Sequence, residues 1–309
     1  MREHRQFHDG ERAVQRRAGE EAIADHRIGL IHDSVIGGAR PFIAAQFMVA
    51  LGSVDPAGRV WASILFGKPG FAHTQDGSVI EIDIPASRRD VDDPLWGNIQ
   101  ANKPLGILFI ELGSRRRYRV NGLVSRLDDE RIWISVREAF PNCPKYIQRR
   151  HLRSLDAPDG ISQSVTGSTL CGTVEDIVRS ADTFFLASHH VADGADVSHR
   201  GGDRGFIHVV DKGTLRFPDY PGNSLYNTLG NLQVDPRAGI CIPDFVNGRL
   251  LQLTGTASLE WDQIDPGDES GGTRRFVTFT VGGWILRDAM PKAAWEYGDS
   301  SPFNPPVVP

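Results

Sequence analysis

The chain repeats itself. Residues 96–100 read Trp-Gly-Asn-Ile-Gln, and residues 229–233 read Leu-Gly-Asn-Leu-Gln. Downstream, a proline, an apolar strand and an Asn/Thr-Gly pair close both copies, from Pro104 to Asn121-Gly122 and from Pro236 to Thr254-Gly255. Upstream, a Gly-x-x-Gly-Phe turn recurs at Gly67 to Phe71 and at Gly202 to Phe206. Three matches in one order, offset by about 133 to 135 residues, mark an internal repeat. A chain of 309 residues is long enough for two cores of ordinary domain size. The repeat therefore predicts two related domains, with a ligand seated between them.

Each copy shows short alternating strands and one helix at the same place. In the first, Val60 to Phe66 and Ser78 to Ile84 are strands, Leu95 to Gln100 a helix, and Leu105 to Leu112 with Arg117 to Ser125 a long hairpin turning at Gly113-Ser114. In the second, Thr183 to His189, Ile207 to Val210 and Thr214 to Phe217 are strands, Asn227 to Val234 the helix, and Gly239 to Ile242 with Leu250 to Leu259 the hairpin. This is a mainly β pattern of two small Greek-key or closed barrels forming an intrachain pseudo-dimer. The expected organisation is an N-terminal arm over 1–40, a first barrel over 41–152, a Ser/Gly/Asp/Thr-rich linker over 153–180, a second barrel over 181–285 and an extended strap over 286–309.

Composition narrows the function. A net charge of −5 gives no global basic footprint for nucleic acid. No apolar run approaches a membrane span and the N-terminus lacks a signal-peptide core, so a cytoplasmic protein is expected. Three cysteines without C-x-x-C spacing argue against a disulfide framework and a zinc site. His189 and His190 are adjacent on a strand, face opposite ways and make a poor metal pair.

Two clusters carry the chemistry. Val197-Ser198-His199-Arg200-Gly201 ends a strand at a Gly-rich turn, where Arg200 offers a forked charged donor and the glycines admit a planar ligand. One hairpin later, Pro218 and Asp219 lead through Asn223, Ser224 and Asn227 into the helix, an arrangement suited to capping or to holding a phosphate. The counterpart of Ser198-His199-Arg200 in the first copy is read as Trp61-Ala62-Ser63, mostly apolar. Asp92 and Asp93 stand at its helix start, where carboxylates repel a phosphate. One favoured anion site per chain is expected, in the second copy. Arg115, Arg117 and Arg119 share one face of a strand, as a solvated face, an inter-barrel salt-bridge row or an anion contact.

The order Ser-His-Arg-Gly-Gly, strand, Pro-Asp-x-x-Gly-Asn, then Asn-Thr-Leu-Gly-Asn-Leu and Asp-Pro-Arg-Ala-Gly resembles the pyridoxamine 5′-phosphate oxidase-like, flavin-nucleotide-binding split-barrel family. The likeness covers residues 182–261 and extends more loosely over 40–150, with Phe140-Pro141-Asn142-Cys143-Pro144-Lys145-Tyr146 and the leader Phe7-His8-x-Gly10-Glu11 resembling tandem members. It implies two tandem split barrels with FMN between them. It places the strand Val197, Ser198, His199 and Arg200 along the flavin ring, Pro218 and Asp219 at the next strand end, and Asn223 and Ser224 at the phosphate, with Gly201 and Asn227 as further cofactor-binding candidates. Trp61, Ser63, Arg117, Cys143, Lys145, Tyr146 and Gln148 are the first-barrel candidates for touching flavin or substrate. The family's Arg-Lys pair near Ser224-Leu225 and its Gln near Leu250 are missing, which argues against vitamin B6 oxidation itself. The implied activity is an FMN-dependent oxidoreductase acting on a small molecule, with electrons from NAD(P)H or a separate reductase, in a monomer or a homodimer. The alternatives are a flavin carrier or sensor without turnover and a haem-binding split barrel.

Overall fold

The computed structural model describes residues 6–155, 163–288 and 293–307. The chain opens with two short helices, α1 (Asp9–Arg17) and α2 (Glu21–Arg27). His8 caps α1 by accepting from the Gly10 and Glu11 amides, while Glu11 returns a bond to the His8 amide. After α3 (Arg40–Ala44) come β1 (Met48–Val54), β2 (Val60–Phe66), β3 (Ala72–His73), β4 (Val79–Asp83), α4 (Pro94–Asn98), β5 (Pro104–Glu111), β6 (Arg116–Leu127) and β7 (Arg131–Asn142). β8 (Arg150–Leu155), β9 (Ser164–Gly167) and α5 (Thr173–Ser180) connect to the second set. That set is β10 (Thr183–His190), β11 (Gly194–Gly201), β12 (His208–Asp211), β13 (Thr214–Pro218), α6 (Asn227–Val234), β14 (Arg237–Asp244), β15 (Arg249–Glu260) and β16 (Phe276–Arg287). β17 (Ala293–Tyr297) pairs back with β8.

The two sheets have the same strand order, β2-β1-β5-β6-β7-β4-β3 and β11-β10-β14-β15-β16-β13-β12, all antiparallel. One irregularity coincides as well. A bulge interrupts β6–β7 between Asn121 and Gly122, and another interrupts β15–β16 between Thr254 and Gly255. A Cβ on Gly122 would meet the Ser135 carbonyl at 2.3 Å, and one on Gly255 the Thr280 carbonyl at 2.0 Å. Only glycine fits either bulge, which is why the Asn/Thr-Gly pair repeats. The fold is thus two tandem split-barrel units. The closed-barrel expectation fails, because among the described residues each sheet is an open path whose end strands do not pair with one another.

Alternation along the strands builds three cores. Val49 and Leu51 of β1 face the first unit's own core, with Ile80, Ile107 and Phe109. Phe184 and Leu186 of β10 face the second unit's, with Phe217, Leu253 and Phe279. The residues between them, Met48 and Ala50 in β1 and Phe185 and Ala187 in β10, meet in a third cluster shared by both units. Strands buried on both faces read as continuous apolar runs, as β1 and β10 do. Close approach of the units needs small residues. A Cβ on Gly106 would meet Asp196 Cα at 2.7 Å, and one on the equivalent Gly239 would meet Trp61 Cα at 2.7 Å.

The linker expected over 153–180 is partly structured. β9 pairs with β16, and α5 buries Val174, Ile177 and Val178 in the second core; residues 156–162 lie outside the described residues. Of the expected arm and strap, residues 1–5, 289–292 and 308–309 also lie outside them. The described end of the strap is irregular after Tyr297, as its prolines require.

Candidate functional site

β6 and β7 of the first unit face β11 and the end of β13 of the second across an open cleft. One wall carries Arg117, Arg119, Asn142, Cys143 and Tyr146. The other carries Ser198, His199, Arg200, Gly201 and the loop from Pro218 into α6. The backbone of that loop is unusual. Ser224 (φ 63°) and Tyr226 (φ 62°) are both left-handed, a conformation that costs a non-glycine residue about 1–3 kcal/mol and that collects at binding sites. Tyr146 (φ 67°) on the opposite wall is a third such residue. Asn223 Oδ1 holds the loop by accepting from the Leu225 amide at 3.2 Å. No side chain caps α6. Its start, at Asn227 and Thr228, therefore presents partial positive charge to the cleft.

The cations in the cleft divide into two kinds. Arg119 is compensated: its Nη1 lies 2.9 Å from Asp196 Oδ1, and it also bonds Ser198. Ser198 Oγ meets Thr228 Oγ1 at 2.6 Å, and Thr228 Oγ1 donates to Asp196 Oδ2 at 3.0 Å. Arg275 and Arg200 flank Asp219, at 3.0 and 3.4 Å. Arg117 is different. Its guanidinium donates to the carbonyls of Cys143 (2.6 Å) and His199 (3.3 Å), with Lys145 O at 3.5 Å, and it lies 3.3 Å from His199 Nδ1. Among the described residues it has no carboxylate partner. Burial first, then Arg119 and Arg200 nearby, pushes its pKa down to about 9, so it remains charged at neutral pH but is short of negative charge.

His199 is 3% exposed. Burial, then Arg117, Arg200 and Arg150, holds its pKa well below the usual histidine value, so the ring is neutral. With Nδ1 accepting from Arg117, the proton sits on Nε2, which has no hydrogen-bond partner among the described residues. A buried donor without a partner costs about 1–3 kcal/mol. Tyr146 and Tyr220 pack at 4.7 Å between ring centroids, and Tyr146 donates its hydroxyl to Pro221 O at 3.0 Å. Burial raises Tyr146 to about 12, which keeps it a neutral donor.

Most of the residues singled out from the sequence meet here: Ser198, His199, Arg200, Gly201, Pro218, Asp219, Asn223, Ser224 and Asn227, with Arg117, Cys143 and Tyr146 from the first unit. Five do not. Val197 shares a face with His199 but lies one step deeper, in the shared core against Phe185 and Ala187. Lys145 sits over the Phe303 ring at 5.2 Å. Gln148 is spent on the strap: its amide donates to Gly202 O at 3.1 Å, and its Oε1 accepts from the Ser301 amide (2.8 Å) and from Asn304 (3.0 Å). Trp61 and Ser63 belong to the other half of the interface, where Trp61 donates to Asp55 Oδ2 at 3.2 Å and Ser63 to Asp93 Oδ1 at 2.7 Å. Sequence reasoning missed Arg119 as a cleft residue, Asn142, Tyr220, Tyr226, Thr228 and the flanking Arg275. Arg119 stood only in a basic run with several readings, Asn142 and Thr228 lay inside quoted motifs without an assigned role, and Tyr220, Tyr226 and Arg275 carried no local signal.

The pseudo-equivalent position explains the asymmetry. The strand registers equate Ser63, Ile64 and Leu65 with Ser198, His199 and Arg200, which moves the pairing read from sequence by two residues. They also equate Leu250 with Arg117, Gln252 with Arg119, and Arg287 with Asn142. Apolar side chains thus replace the histidine, one strand arginine and Arg117, and a new arginine fills the space. Arg287 Nη2 lies 2.7 Å from Asp93 Oδ2, its Nη1 2.5 Å from Asp90 Oδ2, and its Nε donates to Gln252 Oε1 at 2.9 Å. Burial lowers its pKa, and Asp93 and Asp90 more than offset this, so the net shift is upward. Asp93 also caps α4 by accepting from the Leu95 amide at 3.0 Å. The expected acidic helix start is therefore a capped and ion-paired one.

His8, His190 and Asp193 bring ligand-type atoms together. The His8 and His190 rings stack nearly parallel at 4.1 Å, so their in-plane lone pairs do not converge on one ion. No described helix is long and apolar enough to cross a membrane.

No family model matches the sequence, and no curated protein does. Solved structures similar to this chain include a HupZ variant from Group A Streptococcus (TM-score 0.32, 10% identity, covering 38% of this chain and 98% of that one). An FAD-binding protein from Mesorhizobium loti has a TM-score of 0.29 at 12% identity, covering 41% and 99%. A protein related to general stress protein 26, of the pyridoxinephosphate oxidase family, from Clostridium acetobutylicum has a TM-score of 0.28 at 12% identity, covering 40% and 90%.

Proposed function

We propose that the cleft between the two units binds one flavin mononucleotide and that the protein is an FMN-dependent oxidoreductase acting on a small molecule. The observation that carries this reading is Arg117. It is a half-buried cation held only by carbonyls and a neutral imidazole, facing an uncapped helix start in a cleft between two domains. Such a cation seeks an anion or an electron-rich ring.

The residues present fit the group. Ser224, Asn227 and the start of α6 would hold the phosphate, with Asn223 shaping their loop. Arg117, Arg200 and the Nε2–H of His199 would donate to the carbonyl-rich edge of the ring. Tyr146 and Tyr220 would bound the ring while keeping their protons. When bound, the flavin supplies two-electron redox chemistry through its N5. The protein's part is to orient the ring, keep positive charge beside it and limit water. Electrons would come from NAD(P)H or from a separate reductase.

The test is spectroscopic. Purified protein, reconstituted with FMN and desalted, should retain flavin absorption that bleaches when NAD(P)H or a reducing substrate is added. Protein that stays colourless after reconstitution contradicts the reading, and a Soret band in its place would assign haem. Retained FMN that no donor reduces would leave binding without turnover, a carrier.

A further inference from the structure

One more cation touches the loop at the α6 end of the cleft, and it comes from outside both sheets. The arm formed by α1 and α2 lies against the 223–226 loop and α6. Asn227 Nδ2 donates to Glu11 Oε1 at 2.7 Å, Gln15 Nε2 donates to Leu225 O at 3.1 Å, and His8 Nε2 lies 3.1 Å from Asn231 Oδ1. The last contact is Arg27, the final residue of α2. Its Nη1 donates to Asn223 O at 2.9 Å and approaches Ser224 Oγ at 3.3 Å.

Both partners are neutral, and among the described residues Arg27 has no carboxylate within ion-pair distance. Compare the arm's other described arginines: Arg12 pairs with Asp25 at 2.6 Å, Arg16 with Glu21 at 3.0 Å, and Arg17 with Asp262 at 3.8 Å. A full positive charge is therefore carried 196 residues along the chain to the one loop whose left-handed Ser224 and Tyr226 precede an uncapped helix. Of the acidic groups nearby, Asp219 is paired with Arg275 and Arg200, Glu11 accepts from Asn227 and the His8 amide, and Glu20 lies against Tyr226. An independent sign of a missing ligand is in the same cleft, the Nε2 of His199, which is without a partner among the described residues and whose residue is 3% exposed.

We propose that Arg27 is the phosphate-selecting residue of the cleft, so that the N-terminal arm, not either sheet, distinguishes a 5′-phosphorylated flavin from unphosphorylated riboflavin. This rests on the flavin reading above. The chemistry is a charge-assisted contact to a dianion at a helix start, where both the guanidinium and the α6 dipole favour negative charge. Riboflavin offers only a neutral hydroxyl there and gains nothing from either. Because the same arm grips α6 and its loop, phosphate binding also holds the arm down.

The experiment titrates FMN and riboflavin separately into the full chain and into Arg27→Met and Arg27→Lys, following quenching of flavin fluorescence. The native chain should prefer FMN. Arg27→Met should weaken FMN roughly ten- to hundredfold, the loss of one hydrogen-bonded charge, while riboflavin stays within about twofold. Arg27→Lys should restore part of the preference. Unchanged FMN affinity in Arg27→Met overturns the assignment and leaves the flavin reading standing. Equal losses for FMN and riboflavin overturn it too, since Arg27 would then support the fold. A native chain that binds neither flavin overturns the flavin reading and this inference with it.

Discussion

Arg287 is the residue that closes the second half of the pseudo-dimer, and removing it should be expensive. It is 1% exposed, and its guanidinium holds Asp93, Asp90 and Gln252 together. Arg287→Met keeps most of the apolar stem volume but leaves Asp93 buried without its counter-charge. Breaking a buried pair from one side costs about 3–5 kcal/mol, most of it the uncompensated charge left behind. For a chain of this length the unfolding entropy is about 0.6 kcal/mol per kelvin, so the melting temperature should fall roughly 5–8 °C. Asp93→Asn keeps a capping oxygen for the Leu95 amide. The double variant Arg287→Met/Asp93→Asn should therefore recover part of the loss, leaving a coupling of about 1–3 kcal/mol in the cycle. Thermal and urea unfolding of the four proteins measures this, and FMN affinity, set in the other half of the interface, should hardly change in any of them. A loss below about 1 kcal/mol in Arg287→Met, or no recovery in the double variant, would refute the claim that this ion cluster seals the site.

Arg117→Met should weaken FMN binding at least tenfold while changing the stability of the ligand-free protein by less than about 1 kcal/mol, because the cation it removes lacks a carboxylate partner; titration and melting curves on one preparation check both. Arg200→Ala should cost about 1–3 kcal/mol of FMN affinity by the same titration. His199 gives a pH signature. Its folded pKa is depressed and its unfolded pKa is near 6.5, so the stability it contributes is complete above about pH 6.5 and is lost as the pH falls below it. The slope approaches 1.4 kcal/mol per unit at most, to about the limit of one proton. His199→Asn should flatten urea midpoints between pH 7.5 and 5.5, about the span of this titration, leaving the smaller slope of the same sign expected from His189.

What the sequence disclosed follows from which forces are local. The repeat was readable because bulge glycines and a Gly-Asn helix are fixed by backbone geometry within a few residues. The Ser198 to Gly201 strand end and the Asn223-Ser224 loop were readable for the same reason: turn chemistry and helix starts leave short signatures. The match of Trp61 to Ser63 with Ser198 to Arg200 is two residues out, because the Gly67 and Gly202 turns, 135 residues apart, carry the register that pairs Ser63 with Ser198. Asp93 was recognised as hostile to phosphate, but its partner Arg287 stands nearly two hundred residues away, and no local pattern announces it. Arg27 and Arg275 were equally silent. Each is an ordinary arginine in sequence, and only tertiary packing brings it to the loop. Lys145 and Gln148 were misplaced because the strap that claims them is irregular and has no period to read.

The central claim is one flavin site in an asymmetric pair of units. Isothermal titration of FMN into the ligand-free protein tests it most directly. The account predicts one FMN per chain, with that single event lost or strongly weakened in Arg117→Met and unaltered in Arg287→Met. Two equivalent sites per chain, or no binding at all, would contradict it.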